Sequence, residues 1–273
     1  MNTLCEIAPF TGAASRGSRK FMADHRSTLF LADWKNALFI HYEVPPDALQ
    51  PFVPFPLDLR EGRAYVSFVA FTMEHMRPVF LPGKLGEWAL FPVAPCRFLN
   101  LRTYVLNDGE PGIFFLAEWL SKWSSVPLGR PVFGLPYRAG RLAYEHDLEK
   151  GAVSGCVTGI SREKALSYDA RCCAEKLTPC RSGTLEEFLL ERYIAFTEHR
   201  GLRRRFHVWH KPWPQTPIEV AVKDDSLLAA TGEWSARASC IGAHFSPGVT
   251  DVWMGRPEFL APAEDKISTL TTL

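Results

Sequence analysis

The chain contains no apolar run approaching the ~18 residues that a membrane-crossing helix requires, so no membrane partner is expected. Charge of one sign is also lacking: 31 Lys and Arg stand against 30 Asp and Glu, a formal net charge of +1. A nucleic-acid binder normally carries a basic surplus, so no nucleic-acid partner is expected either. The run Arg203-Arg204-Arg205, with Phe206 and Trp209 behind it, reads as a solvated segment after a helix, complementing its dipole. The seven cysteines, Cys5, Cys96, Cys156, Cys172, Cys173, Cys180 and Cys240, are odd in number and irregularly spaced, unlike a disulfide framework. Reduced thiols in a cytoplasmic protein are the simpler reading. The N-terminal stretch has no apolar core before a small-residue cleavage site, which argues against secretion. Its basic, Ser-containing part, Ser15 to Arg26, leaves an organellar transit peptide as the alternative to a floppy tail.

Several chemistries are missing as well. There is no Gly-rich phosphate loop and no Gly-x-Ser-x-Gly elbow, which sets aside the common nucleotide-binding and serine-hydrolase arrangements. Cys172-Cys173 with Cys180, and His207 with His210, lack the paired spacing of a zinc site. On a strand, His207 and His210 would also face opposite ways. No metal and no cofactor are expected.

What is present is an ordinary globular composition, 47% hydrophobic and 22% charged, able to bury a sizeable core. Residues 1–27 read as a disordered tail, 28–257 as one domain and 258–273 as a second tail. Residues 37–44 form a strand-like apolar run, and Pro45-Pro46-Asp47 starts a short helix. Residues 63–73 are apolar on both faces, as in a strand buried on two sides. Residues 97–106 and 113–120 make a hairpin around Asp108-Gly109. In its first strand Asn100, Arg102 and Tyr104 share one face, and Leu99, Leu101 and Val105 the other. Further strands are expected over 141–147, 152–160, 166–172, 205–210, 219–222 and 239–245. One helix is expected, with Thr184 and Glu187 as a capping box, an apolar stripe through Leu185, Phe188, Leu189, Tyr193 and Phe196, and Gly201 as its stop. The fold class is therefore mainly β (α+β), an antiparallel sheet or barrel with few helices.

Polar residues inside apolar strands are the candidate site. Arg102 sits within Phe98–Val105 and Glu118 within Phe114–Trp119. A buried guanidinium must meet a carboxylate or an anionic ligand, and Glu118 on the neighbouring strand is an available partner. A purely structural ion pair is the alternative.

The segment Gly129-Arg130-Pro131-Val132-Phe133-Gly134-Leu135-Pro136-Tyr137-Arg138 resembles the Gly-Arg-…-Pro-Lys-Lys segment of acetoacetate decarboxylases. The whole chain is more similar to a sister group, the YqjF-like uncharacterised family within the acetoacetate-decarboxylase-like superfamily. The resemblance is carried by His41-Tyr42-Glu43-Val44-Pro45-Pro46, Gly62-Arg63-Ala64-Tyr65-Val66, Asn100-Leu101-Arg102-Thr103-Tyr104-Val105 and Phe188-Leu189-Leu190-Glu191-Arg192-Tyr193. His210-Lys211-Pro212-Trp213 and Phe245-Ser246-Pro247-Gly248-Val249 extend it, so that it spans roughly residues 30–256. It implies a cone-like antiparallel β-barrel with an interior pocket.

In the decarboxylases the first lysine of that segment forms a Schiff base with a β-keto acid, and the second depresses its pKa. Here the two positions carry Tyr137 and Arg138, neither of which forms an imine, and Phe98 stands where an acid is expected. Lys122 is the nearest lysine in sequence. Schiff-base decarboxylation is therefore not expected. The resemblance points instead to a pocket for a small carboxylate or carbonyl metabolite, with no cofactor. Arg102 and Arg138 would bind its anionic group, Tyr137 would donate a hydrogen bond or act as general acid, Asn100 would orient it, and Glu118 would balance Arg102. The alternative is a non-catalytic binding or sensing module. Exposed sheet edges leave self-association open.

Overall fold

The structure, a computed structural model, describes residues 12–24, 27–81, 83–91, 93–125, 131–147, 150–172 and 177–261. Cys5, Cys173, Gly129 and Arg130 lie outside the described residues. Among the described residues no helix is long and apolar enough to cross a membrane.

Strands dominate: β1 (Thr28–Val44), β2 (Ala64–Pro78), β3 (Cys96–Asn107), β4 (Glu110–Leu120), β5 (Tyr137–Asp147), β6 (Ala152–Gly159), β7 (Ala165–Arg171), β8 (Ile194–His199), β9 (Leu202–Trp209), β10 (Thr216–Asp224), β11 (Ser239–Gly255) and β12 (Glu258–Phe259). Helices α1 (Gly12–Asp24), α2 (Pro46–Leu49), α3 (Lys84–Ala89) and α4 (Leu185–Leu190) accompany them. All strands join one sheet in the order β12-β9-β8-β4-β3-β2-β1-β11-β10-β7-β6-β5, with β9 also paired to β11 and β4 to β5. The sheet thus closes twice, once through β9-β8-β4-β3-β2-β1-β11 and once through β4-β3-β2-β1-β11-β10-β7-β6-β5. The two closures share the wall β11-β1-β2-β3-β4.

That wall needs apolar residues on both faces, and the alternation of β1 supplies them. Leu38, Ile40, Tyr42 and Val44 enter one buried cluster with Val153, Val157 and Tyr168, while Ala37 and Phe39 enter another with Phe206, Val208 and Trp213. Burying each large apolar side chain contributes about 1.5–3 kcal/mol, so two packed faces stabilise this wall heavily.

Asp108-Gly109 and Arg200-Gly201 close the β3–β4 and β8–β9 hairpins, with both central residues of each turn at positive φ. The second hairpin corrects the sequence reading. The expected helix stops at Leu190, and Ile194–His199 is strand β8, paired with β4 and β9. Thr184 does cap α4, accepting from the Glu187 N–H at 3.3 Å, but Glu187 reaches back to the Gly183 N–H at 2.8 Å, one residue outside the usual box. Residues 12–24, expected within a disordered tail, form α1, held by the Ala13 N–H on Glu187 Oε1 at 2.7 Å. Glu258 and Phe259, expected in the C-terminal tail, pair with β9.

Candidate functional site

Within the closure that contains β8 and β9 lies a cavity of about 110 Å³. Its walls are aromatic, with Trp34, Phe71, Phe98, Phe133 and Trp213 prominent, and its polar lining is Asn100, Arg102, Glu118, Tyr137, Arg192 and His210. Asn100 and Arg102 reach it together because they are two residues apart on β3, on the same face. Register brings the next two in. Asn100 pairs directly with Glu118 on β4, and Glu118 pairs in parallel with Tyr137 at the start of β5. Gly134, at φ 70°, turns the chain into β5, and a Cβ there would come 2.8 Å from Arg204 Nη1 and 3.0 Å from Thr197 Oγ1.

Glu118 is 3% exposed, and its Oε2 has no hydrogen-bond partner among the described residues. Burial alone pushes its carboxyl well above the ordinary carboxylate range, which favours the neutral form, able to donate. Tyr137 is pushed up by burial and then by Glu118, and it keeps its phenolic proton. Phe98 packs edge-on against Tyr137, with ring centroids 6.1 Å apart. Asn100 Oδ1 also has no partner among the described residues.

Arg102 is 6% exposed. Its Nη2 donates to the Leu189 carbonyl at 2.9 Å, a free end of α4, and its charge lies 5.6 Å from the Phe39 ring centroid. Its Nε has no partner among the described residues. The same carbonyl accepts the Tyr104 hydroxyl at 2.8 Å. That bond orders a buried chain of protons. Tyr104 spends its proton on Leu189, so Ser67 donates to Tyr104 at 2.7 Å and His41 Nδ1 donates to Ser67 at 2.7 Å. His41 Nε2 then accepts from His244 Nδ1 at 3.0 Å. Burial, followed by the charges of His244 and Arg102, holds the His41 pKa well down, which fits this neutral tautomer. The chain fixes the carbonyl that anchors Arg102.

His210, Trp213, Arg192 and Glu191 were not read as site residues from the sequence, although the first three line the cavity. His210 Nδ1 donates to the Lys211 carbonyl at 2.8 Å, and burial lowers its pKa to about 4. Arg192 pairs with Asp58 at 2.6 Å and donates to the Phe188 carbonyl at 2.7 Å. Glu191 accepts the Trp213 N–H at 2.9 Å and the Tyr193 hydroxyl at 2.5 Å, and burial raises it to about 7. The signal available for these was the pair of blocks Phe188–Tyr193 and His210–Trp213, which carried resemblance but no evident chemistry.

Two expectations are corrected. Glu118 does not face Arg102: the register set by the Asp108-Gly109 turn puts Phe115 opposite Arg102, a shift beyond it puts Glu118 opposite Asn100, and no ion pair links Arg102 and Glu118 among the described residues. Arg138 does not line the cavity. It follows Tyr137 on a strand, so it projects to the other face, over the Trp119 ring at 5.5 Å and onto the Ala230 carbonyl at 3.2 Å. Lys122 also lies elsewhere, donating to the Phe91 carbonyl at 2.8 Å. Among the described residues no group of three or more His, Cys, Asp or Glu could hold a metal ion.

A closed β wall enclosing a small aromatic cavity with a few convergent polar groups defines an acetoacetate-decarboxylase-like fold, and solved structures show the same. An acetoacetate decarboxylase from Legionella pneumophila superposes with a TM-score of 0.60 at 14% identity, covering 87% of this chain and 89% of that one. An acetoacetate decarboxylase-like enzyme from Sphingomonas wittichii RW1 gives 0.56 at 16% identity, over 86% of this chain and 93% of that one. The enduracididine biosynthesis enzyme MppR, solved in complex with pyruvate, gives 0.54 at 14% identity, over 86% and 91%. Residues 31–250 match the family model DUF2071, described as an uncharacterized conserved protein (COG2071), and the chain belongs to that family. The uncharacterized protein YqjF of Bacillus subtilis (strain 168) is 29% identical over 203 residues, which are 73% of this chain and 80% of YqjF.

Proposed function

We propose that this protein binds a small carboxylate- or carbonyl-bearing metabolite, such as a short 2-oxo acid, inside the inner cavity. One observation carries the reading: Asn100 Oδ1, Glu118 Oε2 and Arg102 Nε, three buried polar atoms without partners among the described residues, belong to residues lining one cavity. An unsatisfied buried polar group costs about 1–3 kcal/mol, and a ligand that bonds to these atoms recovers that cost. Arg102 supplies charge for a carboxylate, and neutral Glu118 and the Tyr137 hydroxyl supply donors for a carbonyl oxygen. The pyruvate complex of a structural neighbour supports the choice of ligand class.

If the cavity is catalytic, the reaction is non-covalent. No lysine lines it among the described residues, which supports the view that Tyr137 and Arg138 replace a Schiff-base pair. Glu118 and Tyr137 would then hold the proton for a developing enolate, in decarboxylation or enolisation. The aromatic filling favours the second reading, a binding or sensing module: Trp34 stacks on Trp213 at 6.0 Å and packs on Phe71 at 5.3 Å, leaving room for a ligand of a few heavy atoms. We also read the protein as cytoplasmic, a reading supported by the free cysteines Cys96, Cys156, Cys180 and Cys240.

Calorimetric titration with pyruvate, lactate and acetone, each repeated with borohydride, tests the reading. The acids are expected to bind more tightly than acetone, with no adduct trapped by borohydride. Arg102→Met is expected to weaken pyruvate at least about tenfold, or about 1.4 kcal/mol. A trapped adduct, or acids that bind no better than acetone, would contradict it.

A further inference from the structure

The buried charges beside the inner cavity meet at the end of α4. Arg102 donates to the Leu189 carbonyl, a neutral partner, and its Nε has no partner among the described residues. Arg192 also lines the cavity, but Asp58 balances its charge at 2.6 Å. Glu191, 4% exposed, is a buried carboxyl on which the Arg102 charge acts, favouring its ionised form. Its oxygens are held from two sides, by the Trp213 N–H at 2.9 Å and the Tyr193 hydroxyl at 2.5 Å. Trp213 and His210 wall the inner cavity, and His210 stacks on Tyr193 with ring centroids 4.8 Å apart. Glu191 thus stands one side chain behind the wall.

Other groups act on the same carboxyl. Glu187 on α4 opposes its ionisation, while itself accepting the Ala13 and Gly183 N–H groups. Burial pushes the Cys180 thiol up to about 12, and burial and then Glu191 push the Tyr193 hydroxyl further, so both keep their protons. His41 and His210, which also feel Arg102, are held low by burial, His210 at about 4, and are neutral near pH 7. Arg16, Arg60, Asp58, Glu110 and His207 line, with Glu191, a second space of about 430 Å³ that adjoins the inner cavity at Arg192, Ile194 and Val208. Glu191 lines this space and not the inner cavity. Burial raises it to about 7, so both its forms are present near neutral pH. A carboxylate beside Arg102 would put a second buried negative charge against one guanidinium, and a proton on Glu191 relieves it.

We propose that a carboxylate ligand replaces Glu191 as the countercharge of Arg102, and that Glu191 takes up a proton from water as the ligand binds. This coupling rests on the carboxylate reading of the inner cavity, and it makes binding tighter as the solution becomes more acidic. Pyruvate is titrated calorimetrically at pH 7 in phosphate, HEPES and Tris, whose ionisation enthalpies differ. The slope of binding heat against ionisation enthalpy then counts the protons. Uptake of about half a proton per ligand is expected, because Glu191 starts about half ionised. Affinity should fall at least about threefold from pH 6.5 to pH 8. Glu191→Gln keeps an acceptor for the Trp213 N–H. With its melting curve checked, it should bind pyruvate with no proton uptake and with an affinity flat over that range. Pyruvate bound by the wild type without uptake, or uptake retained in Glu191→Gln, would overturn the coupling and leave the carboxylate reading standing. No pyruvate binding in any buffer would overturn both.

Discussion

Glu118 carries a carboxyl group in an aromatic-walled cavity with no ion pair among the described residues, and that placement has a consequence for pH. Its pKa is raised in the folded state, so the native protein keeps a proton that the unfolded chain releases. Its stabilising contribution is full below the unfolded carboxyl value of ~4.3 and is lost as pH rises toward the folded value. Glu118→Gln removes this titration. The variant should melt at a temperature that changes less than wild type's between pH 5 and 8, and parallel curves would show that Glu118 is ionised in the fold. Arg138 makes the opposite point. Arg138→Ala should leave pyruvate affinity within about twofold in the same calorimetry, because its guanidinium lies over Trp119 on the other face. That placement was legible in principle. Neighbours on a strand face opposite ways, so the side chains of Tyr137 and Arg138 could not both point into the inner cavity once β5 began at Tyr137. The Arg102–Glu118 pairing failed on register: the Asp108-Gly109 turn already sets Arg102 opposite Phe115, and the shift between Leu101 and Arg102, which alternation cannot reveal, sets Glu118 opposite Asn100.

At the level of elements, the β3–β4 hairpin followed from Asp108-Gly109, since a two-residue turn with positive φ at both positions fixes the register around it. The segment after Leu190 failed for a different reason. Leu189, Tyr193 and Phe196 fit helical spacing, but Ile194, Ala195 and Phe196 gain ladder bonds to β4 and β9 that only the tertiary fold offers. The connection from Phe133 to β5 has its own requirement. Thr197 Oγ1 donates to the Phe133 carbonyl at 2.5 Å, and Gly134 at φ 70° holds a conformation that side chains rarely adopt, with Arg204 Nη1 2.8 Å from where a Cβ would lie. Gly134→Ala should destabilise the fold by about 1–3 kcal/mol in urea unfolding and weaken pyruvate through displaced Tyr137. Equal stability and affinity would mean that the turn relaxes freely.

For the whole molecule, the two-sided apolar character of residues 63–73 already implied a strand covered on both faces. The double closure shows why: β2 belongs to the wall shared by both. Leu38 and Leu120 are both fully buried, in different clusters. Leu38→Ala and Leu120→Ala should each cost about 2–5 kcal/mol and shift one common unfolding transition, because the shared wall couples the clusters. Separate transitions would mean that the halves unfold independently. The central claim concerns the inner cavity, and a crystal structure of the protein with bound pyruvate tests it most directly. The account predicts the carboxylate within hydrogen-bond distance of Arg102 Nε, with the keto oxygen facing Glu118, Tyr137 or Asn100. Pyruvate bound outside this cavity, or joined covalently to a lysine, would contradict it.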